Sequence, residues 1–175
     1  GAEVDYLSSM PKVANIMATA RFNKKKLDIF ITQAQMEGIG TRKSVISFHG
    51  LDQVDTYVDM DFFIKGPLKN ALSLIDYESL GFASAVGASS EKVNGTTDAH
   101  IKLKFLVKDS LSTNDVDFSV AARMYDVSVD NIIHGQGIKN GQLFLKVSEQ
   151  GLNLTGDVKL GSLPASIEWR RNFSV

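Results

Sequence analysis

Thr97-Asp98-Ala99-His100-Ile101-Lys102-Leu103-Lys104-Phe105 is the stretch that decides the fold. Thr97, Ala99, Ile101, Leu103 and Phe105 fall on one side, with Lys102 and Lys104 on the other. A period of two gives an extended chain one apolar face, whereas a helix would scatter the same residues around its axis. The stretch reads as a long half-buried strand, opened by Asn94-Gly95.

The same pattern recurs on both sides. Upstream, Val58, Met60, Phe62 and Ile64 alternate with Tyr57, Asp59, Asp61 and Phe63. Further upstream, Ile16, Ala18, Ala20 and Phe22 form one face. The polar turn Asn23-Lys24-Lys25-Lys26 then leads to Leu27, Ile29 and Ile31. Glycines at Gly38 and Gly40 break the next connection, and Lys43 to Phe48 is a short strand. Downstream, Phe118, Val120, Ala122 and Met124 make a strand face. Asp126 to Gly141 reads as a shorter strand and a glycine-rich connection, with a tight turn at Asn140-Gly141. Leu143, Leu145 and Val147 pair through the turn Ser148 to Gly151 with Leu152, Leu154, Val158 and Leu160. Ala165, Ile167 and Trp169 finish the sheet.

Two stretches depart from alternation. Ala2 to Lys12 reads as one short helical turn stopped at Pro11. Gly66-Pro67 ends a strand, and Leu68, Ala71, Leu72 and Ile75 follow at helical spacing through about Tyr77, with Pro67 as the first helical residue. Ala83 to Glu91 and Asp109 to Asp115 read as loops. About ten strands with short turns and one helix predict a mostly β fold. It is an antiparallel, strongly curved sheet, an open groove or a partly closed barrel or sandwich, with the helix near its open side or end.

Residues 1–175 suit a single β-rich domain, or a segment cut from a longer protein, and Gly1 reads as a residue left by a protease. Hydrophobic residues make up 43% and charged residues 22%, enough for a packed core. The formal net charge of -1 argues against nucleic acid as a partner. The absence of cysteine excludes thiol catalysis, disulfides and thiolate metal sites from the segment. No apolar run approaches the ~20 residues of a membrane-spanning helix.

Candidate chemical motifs are weak. Gly38 to Ser44 superficially resembles a phosphate-binding loop, but Arg42 stands where glycine must precede the lysine, and a strand follows instead of a helix. Gly135 to Gly141 has the wrong spacing and neighbours for a dinucleotide fingerprint. His49, His100 and His134 lie on separate elements. Asp59 and Asp61 share a strand face near Asp55, which an acidic solvent face explains without calcium or acid catalysis. The reading is of a non-enzymatic chain with no catalytic residues, no metal and no cofactor.

The run from Leu143 to Trp169, L-x-L-x-V-x-x-x-G-L-x-L-x-G-x-x-x-L-G-x-x-P-A-x-I-x-W, resembles the periplasmic region of AsmA-like envelope proteins of the YhdP and TamB type. Gly66-Pro67-Leu68 opening a helix and Val93-Asn94-Gly95 opening a long strand are similar to the middle of the YhdP-type region. The resemblance implies a periplasmic β-groove in a Gram-negative bacterium, in a parent protein anchored in the inner membrane. It also implies support of phospholipid transport and outer-membrane integrity, with phospholipid acyl chains and neighbouring β segments of the same full-length chain as partners. It carries over no catalytic residue.

Parity selects the residues that would face lipid: Val58, Met60, Phe62, Ile64, Leu103, Phe105, Phe118, Val120, Leu145, Leu154 and Ile167. Each lies in phase with the apolar set of its strand, and all are expected to point to one shared interior. The rival expectation is a structural or protein-interaction β-sandwich with no lipid ligand. A third, a glycosidase on a β scaffold, needs two carboxylates converging in a cleft.

Overall fold

The computed structural model describes residues 2–4, 13–75, 92–108, 111, 115–133 and 136–173. In chain order the elements are β1 (Ala2–Val4), β2 (Val13–Phe22), β3 (Lys26–Met36), β4 (Ile39–Thr41), β5 (Ser44–His49), β6 (Tyr57–Pro67), α1 (Leu68–Ile75), β7 (Val93–Leu106), β8 (Val116–Ile133), β9 (Gln136–Ser148), β10 (Gly151–Leu160) and β11 (Leu163–Asn172). The eleven strands form one curved antiparallel sheet, in which almost every strand pairs with its neighbour in sequence. The ladder runs from β1 to β11 without closing, so the sheet is open rather than a barrel.

Local chemistry explains the turns. Asn23 Oδ1 accepts the backbone N–H groups of Lys25 and Lys26 at 2.8 and 3.0 Å, fixing the β2–β3 hairpin as an Asx turn. Lys26 belongs to β3 instead of the tip. Between β3 and β4, Glu37 and Gly38 both have positive φ (46° and 79°), the two-residue turn that matches strand twist. Asn70 of α1 donates its side-chain N–H to Glu37 O at 2.6 Å and ties the helix to that turn.

Several expectations need correction. Ala2–Val4 is a strand paired with β2, not part of a helical turn, because pairing satisfies its backbone better than an isolated turn could. Residues 5–12 and 76–91 lie outside the described residues, as do 109–110 and 112–114 within the expected Asp109 to Asp115 loop. Pro67 closes β6, still opposite Thr96, and α1 begins one residue later. The expected end of the helix at Tyr77 is outside the described residues. Asp126 to Gly141 holds no Asn140-Gly141 turn. β8 continues to Ile133, and β9 already runs through Asn140 and Gly141. Asp126 and Asn140 take positive φ (53° and 52°) at register shifts, so the strands bend there and go on.

An eight-residue helix is too short to be stable alone. α1 is held by packing. Leu68 is buried in a cluster with Met124, Val127, Leu143 and Val158, and Leu72, Leu145, Leu154 and Ile167 pack around it. Leu74, also buried, is a contact that the expected helical face omitted. The packed core thus sits under α1, on the β7–β11 half of the sheet.

Candidate functional site

Residues opposite one another in a ladder share a face, so register tests the parity expectation directly. Val58 faces Phe105. Met60, Leu103 and Phe118 form a second row, and Phe62, Ile101 and Val120 a third. Ile64 leads through Ala99 and Ala122 to Leu145 and Leu154. Met124, Leu143, Gly156 and Ile167 lie one row further. All eleven parity-selected residues are on one face.

That face continues onto the first strands. Ala20, Ile29 and Ile46 extend the row of Met60, and Phe22, Leu27 and Phe48 extend the row of Val58. Its two halves differ in cover. Under α1 the side chains are buried, as described above. Toward the β2–β3, β5–β6 and β7–β8 loops, Ile29, Ile46, Met60, Leu103 and Phe118 are only half-buried, and Phe22 is 83% exposed. Val58, in the first row of this end, is nevertheless only 2% exposed, so the opening does not reach every position there.

The same end carries apolar loop tips. Eleven large hydrophobic residues are exposed among the described residues, and six of them, Phe22, Leu51, Val54, Tyr57, Val107 and Leu111, lie there. Backbone hydrogen bonds from Gly50 and Leu51 to Lys25 O, and from Val107 to Thr56 O, hold the loops side by side.

The opposite face is polar, and its charges alternate across strands. Asp61 and Asp59 do not converge on each other. Asp61 Oδ1 meets His100 Nε2 at 2.6 Å, and Asp59 Oδ2 meets His49 Nε2 at 2.9 Å. The His100 ring stacks on Phe63 with centroids 4.1 Å apart and planes 9° from parallel. Asp28 receives the Ser47 hydroxyl and lies 2.9 Å from Lys26 Nζ. The Ser47 hydrogen bond, then the Lys26 contact, holds the Asp28 carboxyl below its ordinary value. Sequence reading did not pair the two histidines with these aspartates, because the partners are 10 and 39 residues apart and only the register joins them.

A hollow of about 700 Å³ opens on this polar face over β7–β11. Its floor is small, with Ser119, Ala121, Ser148 and Gly151, and its rim carries His100, Lys102, Lys146 and Arg170. Asn153, between Lys146 and Arg170 in the ladder, has its Oδ1 buried without a hydrogen-bond partner. The signal in the sequence was the Lys102 side of the alternating stretch, but nothing there shows which other cations stand beside it.

No protein-family model, curated protein or solved structure matches the chain. Among the described residues no helix is long and apolar enough to cross a membrane.

Proposed function

We propose that this chain is a non-enzymatic segment of a bacterial envelope protein that shields or conveys lipid acyl chains. The observation that carries the reading is the half-covered apolar face. Six strands, β2, β3, β5, β6, β7 and β8, contribute to it in register. At ~4.8 Å between strands and ~3.3 Å per residue, the three rows measure about 24 by 13 Å, on the order of 300 Å². That footprint is at the lower end of the ~300–600 Å² of the largest apolar patch on a typical monomer, a patch that is often functional. The long dimension exceeds the ~15 Å of one leaflet's hydrocarbon, half of a ~30 Å bilayer core. Hydrocarbon needs area and shape from its site, with few directed polar groups, and this face supplies both.

The AsmA-like resemblance points the same way, and with it a periplasmic location in an inner-membrane-anchored parent that supports phospholipid transport and outer-membrane integrity. The exposed loop tips give the apolar face an end at which a lipid could enter. The test is native mass spectrometry of protein purified from bacteria, with the Leu103→Asp variant alongside. Bound phospholipid on the parent chain, reduced in the variant, supports the reading. A parent chain free of lipid, which also takes up none from phospholipid vesicles, overturns it.

A second reading is favoured by β11. It closes the ladder with one edge unpaired among the described residues, and exposes Leu163 and Trp169. Such an edge is a template for another strand. In this reading the chain is a structural module that docks neighbouring β segments, and Leu103→Asp would leave its assembly unchanged.

A further inference from the structure

We propose that the hollow on the polar face binds a phosphorylated polyol, whether free or as a lipid headgroup. The proposal is independent of the acyl-chain reading, because its residues point to the other side of the sheet. Lys102, Lys146 and Arg170 stand on β7, β9 and β11. Alternate strands are about 10 Å apart, so the three cations are spread across the hollow instead of crowding one point. None of the residues around it is a carboxylate. The acids paired with the rim are Asp61, which takes His100 and lies 3.9 Å from Lys102, and Glu168, which pairs with Arg170, while Glu149, in the turn between Ser148 and Gln150, accepts the Phe118 N–H. Lys146, in the middle, lies over the Phe144 ring, 5.5 Å from its Nζ, and among the described residues has no ion pair. A chain of net charge -1 therefore presents a depression lined by three cationic side chains and no carboxylate.

The shape follows from residue size. Ser119, Ala121, Ser148 and Gly151 leave the floor low while the long cationic side chains rise around it. The volume is too large for a lone phosphate or carboxylate, and the lining mixes hydroxyl and amide groups with the apolar Val120, Val147 and Leu152, against which a carbon skeleton can lie. Cations suit phosphate oxygens. The hydroxyls of Ser119 and Ser148 and the amide of Asn172 suit the hydroxyls of the body that carries the phosphate.

The experiment is titration of the 175-residue chain with glycerol 3-phosphate, followed by NMR, and co-sedimentation with two kinds of vesicle. These are phosphatidylcholine alone, and phosphatidylcholine with added phosphatidylglycerol. Lys146→Gln and Arg170→Gln remove rim cations, and Lys24→Gln, on the distant β2–β3 tip, is the control. The expected result is binding that each rim variant weakens about tenfold, with Lys24→Gln unchanged. Circular dichroism must show both rim variants folded, as exposed polar substitutions should be. Binding of glycerol 3-phosphate identifies the phosphorylated polyol itself as sufficient. Binding of the phosphatidylglycerol vesicles alone identifies a headgroup presented by a membrane. No binding of either probe overturns the proposal. So does an equal loss in Lys24→Gln, which would mean unspecific attraction between charges.

Discussion

Ser44 Oγ accepts the backbone N–H of Phe63 at 3.1 Å. Between the pairs Thr41–Ile64 and Val45–Asp61, the β4–β5 side has one residue more than β6, so the backbone ladder is irregular there, although Arg42 N–H still reaches Phe63 O at 3.2 Å. The hydroxyl of Ser44, 1% exposed, stands in for the missing carbonyl, and Thr41 donates its own hydroxyl to Phe63 O. A side chain thus repairs a bulge next to the centre of the apolar face.

Ser44→Ala should therefore leave the Phe63 N–H without this partner in a part-buried site. The expected loss is about 1–3 kcal/mol, read from urea unfolding curves. A change within the ~0.5 kcal/mol of an ordinary surface substitution would mean that the bulge does not depend on the hydroxyl.

Leu103 and Leu143 have the same parity and should respond oppositely. Leu143 is buried against α1, so Leu143→Asp places an unpaired charge in the packed cluster. A penalty of several kcal/mol is a large part of the ~5–15 kcal/mol of an ordinary domain, so the variant should be unfolded by circular dichroism. Leu103 is half-buried on the uncovered half, so a carboxylate there can reach water and Leu103→Asp should stay folded. Unfolding of both variants would show that this half is a closed core and would remove the basis of the lipid reading.

Two glycine substitutions should also separate. Gly156 has φ +148°, and an added Cβ would lie 2.1 Å from Gln142 O and 2.9 Å from Leu143 Cα. Backbone atoms cannot yield as a flexible side chain would, so Gly156→Ala should destabilise by about 1–3 kcal/mol or more. At Gly40 the nearest atom to a Cβ is Lys65 O at 3.8 Å, ordinary contact. Gly40→Ala should be neutral or stabilise by up to ~1 kcal/mol by restricting the unfolded chain. Thermal melts of the two variants compare them directly.

Asp28 gives a pH signature. Its folded carboxyl titrates below the ordinary value of 3.8, because the Ser47 and Lys26 contacts favour the charged form. A depressed pKa means that the contribution is complete above the unfolded value and is lost as pH falls through the folded one. Asp28→Asn should be less stable than the parent near neutrality, and the two should converge in acid below that value. A gap that persists unchanged into acid would assign the difference to packing instead of charge.

The strands themselves were legible because alternation is a local property. Val58 to Ile64 and Thr97 to Phe105 show their buried side within a few residues, and register keeps that side in common. The helix was legible from Leu68, Ala71 and Leu72, whose spacing is local, but the burial of Leu74, outside that spacing, was not. β8 and β9 were cut too short because Asp126 and Asn140 look like turn residues. Their left-handed backbone bends a strand that continues, and nothing local separates a bend from an end. The inward phase of β3 is similar. Ile29 and Ile31 set it, yet Ala34 is the buried residue beyond them, because an irregularity opposite Met17 shifts the count.

The order of apolar and polar positions therefore determined, without any structure, that this chain makes an antiparallel sheet with one apolar side. What covers that side, and what gathers on the other, was decided by tertiary structure. α1 lies over β7–β11 and leaves the row of Met60 half-open toward the loops, while Val58 beside it is buried. His100, Lys102, Lys146 and Arg170 come from three alternate strands and surround one hollow only because the register puts them on the same face. Periodicity is carried by neighbours in sequence, whereas cover and convergence depend on contacts between residues dozens of positions apart, which no local pattern records.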